Sequence, residues 1–461
     1  VLPPSARFCS GIRQHSSAVF APIRASRMLQ CDGSSLNAPW RNRSNMLGLR
    51  QQECENRSMR EETMRSLIVA IAALLAGTAL SVSEGAFAQD RTVKITGFGA
   101  KSGVVRVFGV NSEAALKAAA EEINKSGGVT LGDGTKAKLT IDFLDDRCNA
   151  EEGISVVRRI ASTDAFVAVG PTCSNVAESL FGILQKKVGD ASDSGLQFPI
   201  IADVAAKGGL AKISEWAFRN VPSEFEMYKS LFAWVKSQHP SLKTIYGGVE
   251  KDFAHSNATY GVMKSQAEAN GYQVAGTAEW LLNDTTFSNQ VRDMKRANAD
   301  IVAISAHPFT TCGVLKEMER QGVKPKLLIG LTSSSSIETL QGCAKQAEGI
   351  IIPTSFAPVT PEATKAAEQV AKFGGSADLH SAAAYEIMFI LKDVIEQQKI
   401  MAKPDTVQAD RAKMRQGLAA LKETKGLLGK VGRTDDREAI KPFLYVHAKG
   451  GSWLVLHKPS S

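Results

Sequence analysis

Along most of the chain, short apolar runs alternate with segments whose apolar residues recur every three or four positions. The first spacing predicts strands and the second predicts amphipathic helices. Thr92–Thr96 reads as a strand ending in the glycine turn Gly97-Phe98-Gly99, and Glu113–Asn124 as a helix with Ala115, Leu116, Ala119 and Ile123 on one face. Asp133-Gly134 marks a tight hairpin before strand Leu139–Leu144. Helix Ala150–Ala161, strand Ala165–Val169, helix Val176–Gln185 and strand Pro199–Ala202 follow.

The alternation restarts after Asn220. It gives strands Thr244–Val249, Tyr272–Glu279, Ile301–Ser305, Leu327–Ile329 and Gly349–Pro353, with helices Thr259–Asn270, Ser288–Ala297 and Cys312–Gln321 among them. Helices Ser381–Gln397 and Arg411–Leu421 precede two closing strands, Phe443–His447 and Trp453–Leu456. Strict strand–helix alternation predicts parallel sheets covered on both faces, and two such runs predict two doubly wound α/β lobes. Ligands in such sheets lie beyond the carboxyl ends of the strands. The loops after Thr96, Val169, Ala202, Val249, Ser305 and Ile329 are therefore the places to look for function.

One apolar run breaks the pattern. Arg65, the stretch Leu67–Leu80 and the small-residue site Ala86-Phe87-Ala88 together read as a secretory signal over residues 64–88, cleaved after Ala88. The run is short for a span of ~30 Å of hydrocarbon. A periplasmic location is expected. Residues 1–63 read as an extension upstream of the true start, Met64 or Met59, without ordered structure.

The net charge of +8 changes little, because residues 1–89 contain ten Arg and six acids and the remainder carries only +4. A mildly basic body without a clustered basic face argues against nucleic acid. Four cysteines follow the signal: Cys148, Cys173, Cys312 and Cys343. An even count in an oxidising compartment predicts disulfides, and four cysteines allow three pairings. Catalytic patterns are missing. There is no G-x-S-x-G, H-E-x-x-H or C-x-x-C, and Gly97–Gly103 lacks the glycine before lysine that a phosphate loop needs. The six histidines after the signal show no metal-ligand spacing. No cofactor and no metal are expected.

Several short phrases, in order, carry a resemblance: Gly99-Ala100-Lys101-Ser102-Gly103, Leu144-Asp145-Asp146-Arg147-Cys148, Val169-Gly170-Pro171-Thr172-Cys173-Ser174, Thr286-Phe287-Ser288 with Ala299-Asp300, and Gly322-Val323-Lys324-Pro325. From Val93 to Trp453 the chain resembles the branched-chain amino-acid-type substrate-binding proteins of ABC transporters, which have the type I periplasmic binding fold. The resemblance implies two lobes joined by a three-strand hinge near Arg219–Pro222, Pro353–Pro358 and Lys430–Asp436. Lobe 1 would be residues 89–220 plus 354–430, and lobe 2 residues 221–353 plus 431–461. It implies a small-molecule carboxylate as ligand, ABC permease subunits as partners and a monomer. It also implies a Cys148–Cys173 bridge, which leaves Cys312 and Cys343 as the remaining pair.

The same resemblance assigns ligand contacts. Ser174 would hold the ligand carboxylate together with helix-opening amides, a natural anion seat. Asn175 stands where relatives carry a second small hydroxyl residue. Ser102 and Cys173 belong to the same group of loops. Ala205 would offer a backbone group, and Ala206 lacks the hydroxyl that relatives have. Phe108 matches an aromatic wall, and His255 and His307 match positions usually held by Tyr. Thr332 replaces the Glu that pairs with a ligand ammonium in relatives. A buried unpaired ammonium is costly, so an ordinary α-amino acid is expected to bind poorly unless Asp203, Glu250 or Asp252 reaches in. The favoured solute is an aromatic or keto acid. Amino acids or amides are the alternative ligand. A sensory binding protein serving a receptor and an exported hydrolase are the rival functions.

Overall fold

The computed structural model describes residues 91–459. The signal segment, the preceding extension, and Cys9, Cys31 and Cys54 lie outside the described residues. The first sheet uses β1 (Arg91–Gly99), β2 (Val129–Thr130), β3 (Lys136–Asp145), β4 (Ala168–Val169), β5 (Ile200–Ala202) and β6 (Ala217–Arg219) in the order β2-β3-β1-β4-β5-β6. All pairs are parallel except β2 with β3, the hairpin over Asp133-Gly134. Gly134 has φ +82°, the left-handed conformation that this turn requires.

Three helices lie between these strands: α1 (Arg106–Lys125), α2 (Ala150–Ala161) and α3 (Ser174–Gly182). The α2 sequence shows why its boundaries are sharp. Asn149 Oδ1 accepts from the backbone N–H groups of Glu151 and Glu152, both at 3.0 Å. Acids open the helix, Arg158 and Arg159 close it, and Val156, Val157 and Ile160 supply the buried stripe. Each of these suits the helix dipole or the core.

The chain then builds a second sheet with α4 (Glu224–Gln238), β7 (Thr244–Glu250), α5 (Ala254–Ala269), β8 (Gln273–Trp280), α6 (Ser288–Ala297), β9 (Ile301–Ser305), α7 (Pro308–Gln321), β10 (Leu327–Gly330), α8 (Ile337–Ala347) and β11 (Ile351–Thr354). It returns to the first sheet with α9 (Pro361–Lys372), α10 (Leu379–Gln397) and α11 (Val407–Ala420). These bring Ile387, Leu391, Val394 and Leu418 into one core with Val93 and Leu139. A small antiparallel sheet, β12 (Glu423–Gly426), β13 (Gly429–Arg433) and β14 (Ala439–Ile440), comes next. Finally β15 (Leu444–Lys449) and β16 (Ser452–His457) complete the second sheet, in the order β16-β15-β11-β10-β9-β7-β8.

The architecture is the expected mixed α/β one, with differences in detail. β15 runs antiparallel to both its neighbours, β11 and β16, so the second sheet is not wholly parallel. Helices α4, α8 and α9 and strands β6 and β12–β14 were not anticipated. Helices α1, α5 and α7 start earlier than the apolar spacing suggests. Their first turns carry residues such as Phe108, His255 and Thr310, which are buried toward the neighbouring loops.

The chain passes between the sheets at 220–223, 355–360 and 441–443. Lys430–Asp436, expected to be a crossing, forms β13 and the turn after it. Two crossings are tied together by buried polar groups. Arg219 is ion-paired to Glu438, and its Nε donates to the Ala205 carbonyl at 3.0 Å. Asn220 Nδ2 donates to Glu386 Oε2 at 3.0 Å and accepts at Oδ1 from Arg433 at 2.8 Å. Lys441 is ion-paired to Glu386, and both are nearly inaccessible. Removing one member would leave the other charge buried and alone. Glu386→Ala is therefore expected to lower unfolding free energy by about 3–5 kcal/mol in urea titrations. Replacing Glu386 and Lys441 together with apolar residues should cost clearly less than the sum of the single changes.

Candidate functional site

The carboxyl ends of both sheets face one another, so the loops that follow those strands meet. In the first lobe, β1 leads to the loop 100–105, β4 to 170–173 and β5 to 203–207. Thr172 links two of these loops, its Oγ1 accepting from Ala100 N–H at 2.9 Å. Gly99 permits this approach, since a Cβ there would lie 2.2 Å from the Thr172 methyl. The disulfides are Cys148–Cys173 and Cys312–Cys343. The first fixes the start of α3 against the β3 exit, and Asn175 Nδ2 adds a hydrogen bond to the Cys148 carbonyl at 3.1 Å.

Helix α3 starts at Ser174, two residues before the expected Val176, and no side chain caps its first amides. Ser174 is buried, and its Oγ accepts from Lys207 N–H at 3.1 Å, which leaves its own proton free to donate. Ala205 and Ala206 are buried beside it. The Ala205 carbonyl is taken by Arg219. Ser102 hydrogen-bonds Asp145, on the far side of its loop. Beneath these loops lie Asp146 and Asp203. Burial pushes each carboxyl up to about 7, and the nearby charge of Asp146 adds to the effect on Asp203.

The second lobe contributes two buried carboxylates. Glu224, at the start of α4, accepts from the hydroxyls of Thr259 and Thr332 and pairs with His255 Nε2 at 2.9 Å. Glu250, at the end of β7, pairs with His307 Nδ1 at 2.5 Å, accepts from His307 N–H at 3.0 Å and from Ser256 Oγ at 2.9 Å, and also bonds Thr310. Burial opposes ionisation of both acids. Their imidazole and hydroxyl partners outweigh it and hold both below the ordinary glutamate range.

This geometry revises two expectations. Thr332 does not leave its neighbourhood without an acid, because it donates to Glu224. That acid went unnoticed because α4 did, although Met227, Tyr228, Leu231, Phe232 and Val235 repeat at helical spacing. Of the three acids considered as substitutes, Glu250 is fully buried and bonded to the groove-lining His307. Asp252 caps Leu282 N–H at 2.9 Å on an exposed turn, and Asp203 stays in the first lobe with Ser112.

Aromatic rings join the two halves. Phe253, just before α5, packs among Ala100, Phe108, Cys173 and Val204 of the first lobe. Its ring lies 4.4 Å from that of His307, edge to face. Phe108 lies 5.9 Å from His307 and 5.1 Å from His380. A groove of about 810 Å³ opens beside this cluster, between Phe108 and Asn111 on one side and His307, Phe309 and Glu338 on the other. Of the expected ligand contacts, Phe108 and His307 line it. Ser102, Cys173, Ser174, Asn175, Ala205, Ala206, His255 and Thr332 do not. Among the described residues no helix is long and apolar enough to cross a membrane, and no group of three or more His, Cys, Asp or Glu is placed to hold a metal.

Residues 92–452 match the family described as periplasmic binding protein. The chain belongs to this family. It is a solute-binding protein of the ABC-transporter type, a family of binding rather than catalytic proteins. The Leu/Ile/Val/Thr-binding protein of Salmonella typhimurium is 23% identical over 60% of this chain and 72% of its own length. Among solved structures, the branched-chain amino-acid substrate-binding protein LivJ of Streptococcus pneumoniae, in complex with isoleucine, matches with a TM-score of 0.67 at 19% identity, covering 80% of this chain and 100% of that one. A solute-binding protein of Rhodopseudomonas palustris in complex with 4-hydroxybenzoate matches with 0.66 at 18% identity, covering 80% and 96%. These likenesses establish the fold. The periplasmic binding protein presents each lobe's loops to the other, as the strand order requires.

The raised Asp203 gives a pH dependence with a definite sign. Its folded-state carboxyl holds a proton that the unfolded chain releases, so its contribution falls as pH rises from about 4 to about 7. Asp203→Asn is expected to raise the melting temperature at pH 8 relative to the parent protein, with the gain shrinking toward pH 4. Thermal melts across that range would refute this with a gain that grows on acidification.

Proposed function

We propose that this periplasmic binding protein is the solute-capturing component of an ABC importer, and that its solute is a small carboxylate, an aromatic or keto acid before an ordinary amino acid. One observation carries the reading: both carboxylates of the second lobe are already bonded to imidazoles and hydroxyls, while the amides opening α3 and the Ser174 proton remain available to an anion. A ligand ammonium would need an acid other than these two, and Glu338, which lines the groove with Oε2 unpartnered, is the candidate. Burying it without one costs several kcal/mol, against about 8 kcal/mol for a whole micromolar complex. Phe108 and Phe253 supply ring faces that suit an aromatic body. The 4-hydroxybenzoate complex of the R. palustris protein supports such a ligand on this fold, whereas the isoleucine complex of LivJ supports the amino-acid alternative.

Capture proceeds by closure. The first lobe seats the anion, the second lobe closes through Phe253 and His307, and differential affinity for the closed form supplies the population shift. The closed monomer is then read by permease subunits in the periplasm. The protein makes and breaks no covalent bond of the solute.

Isothermal titration of the full chain with benzoate, phenylpyruvate and leucine tests the proposal. Micromolar binding of at least one of the two acids, with leucine at least tenfold weaker, is expected. Ser174→Ala should weaken acid binding about tenfold, the value of one lost charge-assisted hydrogen bond. Tight leucine binding with no heat from either acid would overturn it.

A further inference from the structure

Five of the six histidines after residue 88 have an evident setting. His255 and His307 are held by Glu224 and Glu250. His457 stacks on Trp234 at 5.4 Å, and His239 and His447 lie away from the facing loops, at the end of α4 and within β15. His380 differs. It is 1% exposed, yet neither Nδ1 nor Nε2 has a hydrogen-bond partner. It sits in the first turn of α10, its ring against Phe108, and α10 packs there on the second lobe's turn Thr332–Ser335. Four polar atoms of that neighbourhood, Ser333 Oγ, Ser336 Oγ, Ser355 Oγ and the Oδ2 of the helix-capping Asp378, are also buried without partners.

Leaving a buried polar group unpaired is unfavourable, and such groups in a folded protein call for an explanation. Burial first, and then the charges of His255 and His307, hold His380 well below the usual imidazole range. At neutral pH it therefore offers one N–H donor and one lone-pair acceptor on opposite edges of the ring. A carboxylate has only acceptors and can answer one edge. A hydroxyl can answer either.

We infer that His380 is a direct ligand contact that selects a solute carrying a hydroxyl group in addition to its carboxylate. This rests on the carboxylate reading above and adds the substituent that the cleft recognises. A site that pairs with a hydroxyl discriminates against the analogue that lacks it, because its own polar group is then left alone.

The test titrates the full chain with benzoate and its three monohydroxy derivatives, before and after His380→Phe. The parent protein should bind at least one hydroxybenzoate about tenfold or more tightly than benzoate. His380→Phe should bring that ratio below about threefold while changing benzoate affinity less. His380→Gln keeps a donor and an acceptor and should retain part of the preference. Without ligand, His380→Phe should melt at or above the parent temperature, since no protein hydrogen bond is lost.

An unchanged ratio in His380→Phe overturns the inference, as does a parent protein that binds all four acids alike. A loss of apo stability accompanied by an equal loss for every acid also overturns it, because that is the signature of a structural histidine. If no acid binds to the parent protein, the carboxylate reading itself has failed and this inference falls with it.

Discussion

Two carboxylates that cannot reach water govern the second lobe's side of the cleft. Glu224 and Glu250 sit at the ends of elements whose backbone positions follow from the sheet, so burial is imposed on them. A buried carboxylate persists only with partners. Each therefore recruits an imidazole and two hydroxyls from other elements, and each imidazole is thereby held in one orientation. His307 consequently lines the groove in a fixed orientation, with His255 held behind it. A solute approaching His307 meets a ring already oriented by the acid behind it.

The first lobe follows a different logic. The anion seat proposed for it is made of backbone and one hydroxyl, and depends on position more than on charge. Thr172, the Cys148–Cys173 bridge and the Asn175 hydrogen bond to Cys148 all act on the short segment that opens α3. The small residues Ala205 and Ala206 keep the neighbouring loop close. One lobe thus offers oriented dipoles and the other neutralised charges. The rings of Phe253 and His307 are among the parts of the second lobe that reach the first.

Much of the fold was legible in the sequence because doubly wound lobes announce themselves through alternation. Helices α2 and α6 and strand β9 have their predicted boundaries, and each has a clean apolar stripe or run. What was missed has a common physical cause. Helices α1, α5 and α7 begin with turns that face the cleft, where residues such as His255 and Thr310 replace the apolar spacing that a core would impose. The site suffered for the same reason. Glu224 fell in no predicted element, and His380 lay just before the predicted helix Ser381–Gln397. Their importance comes from what other elements place around them, which no local pattern encodes. Of the residues assigned by resemblance, the structure places Phe108, His255 and His307 in one cluster that Thr332 joins through Glu224, and Ser174 in a separate group with Lys207.

The routing of the chain has a consequence for how the molecule is made and how it could be taken apart. Val93 and Leu418 share a core, yet the whole second sheet except its last two strands lies between them in sequence. A nascent chain that has completed β6 still lacks α10 and α11, so the face of its first sheet on which α1 packs has only part of its cover. Such non-local closure is slow to form. The first half to be synthesised is thus the later half to finish, and the polypeptide stays pliable while it emerges. No single cut would release a complete lobe from this protein. Isolating either one would require severing all three crossings and rejoining the ends in a new order.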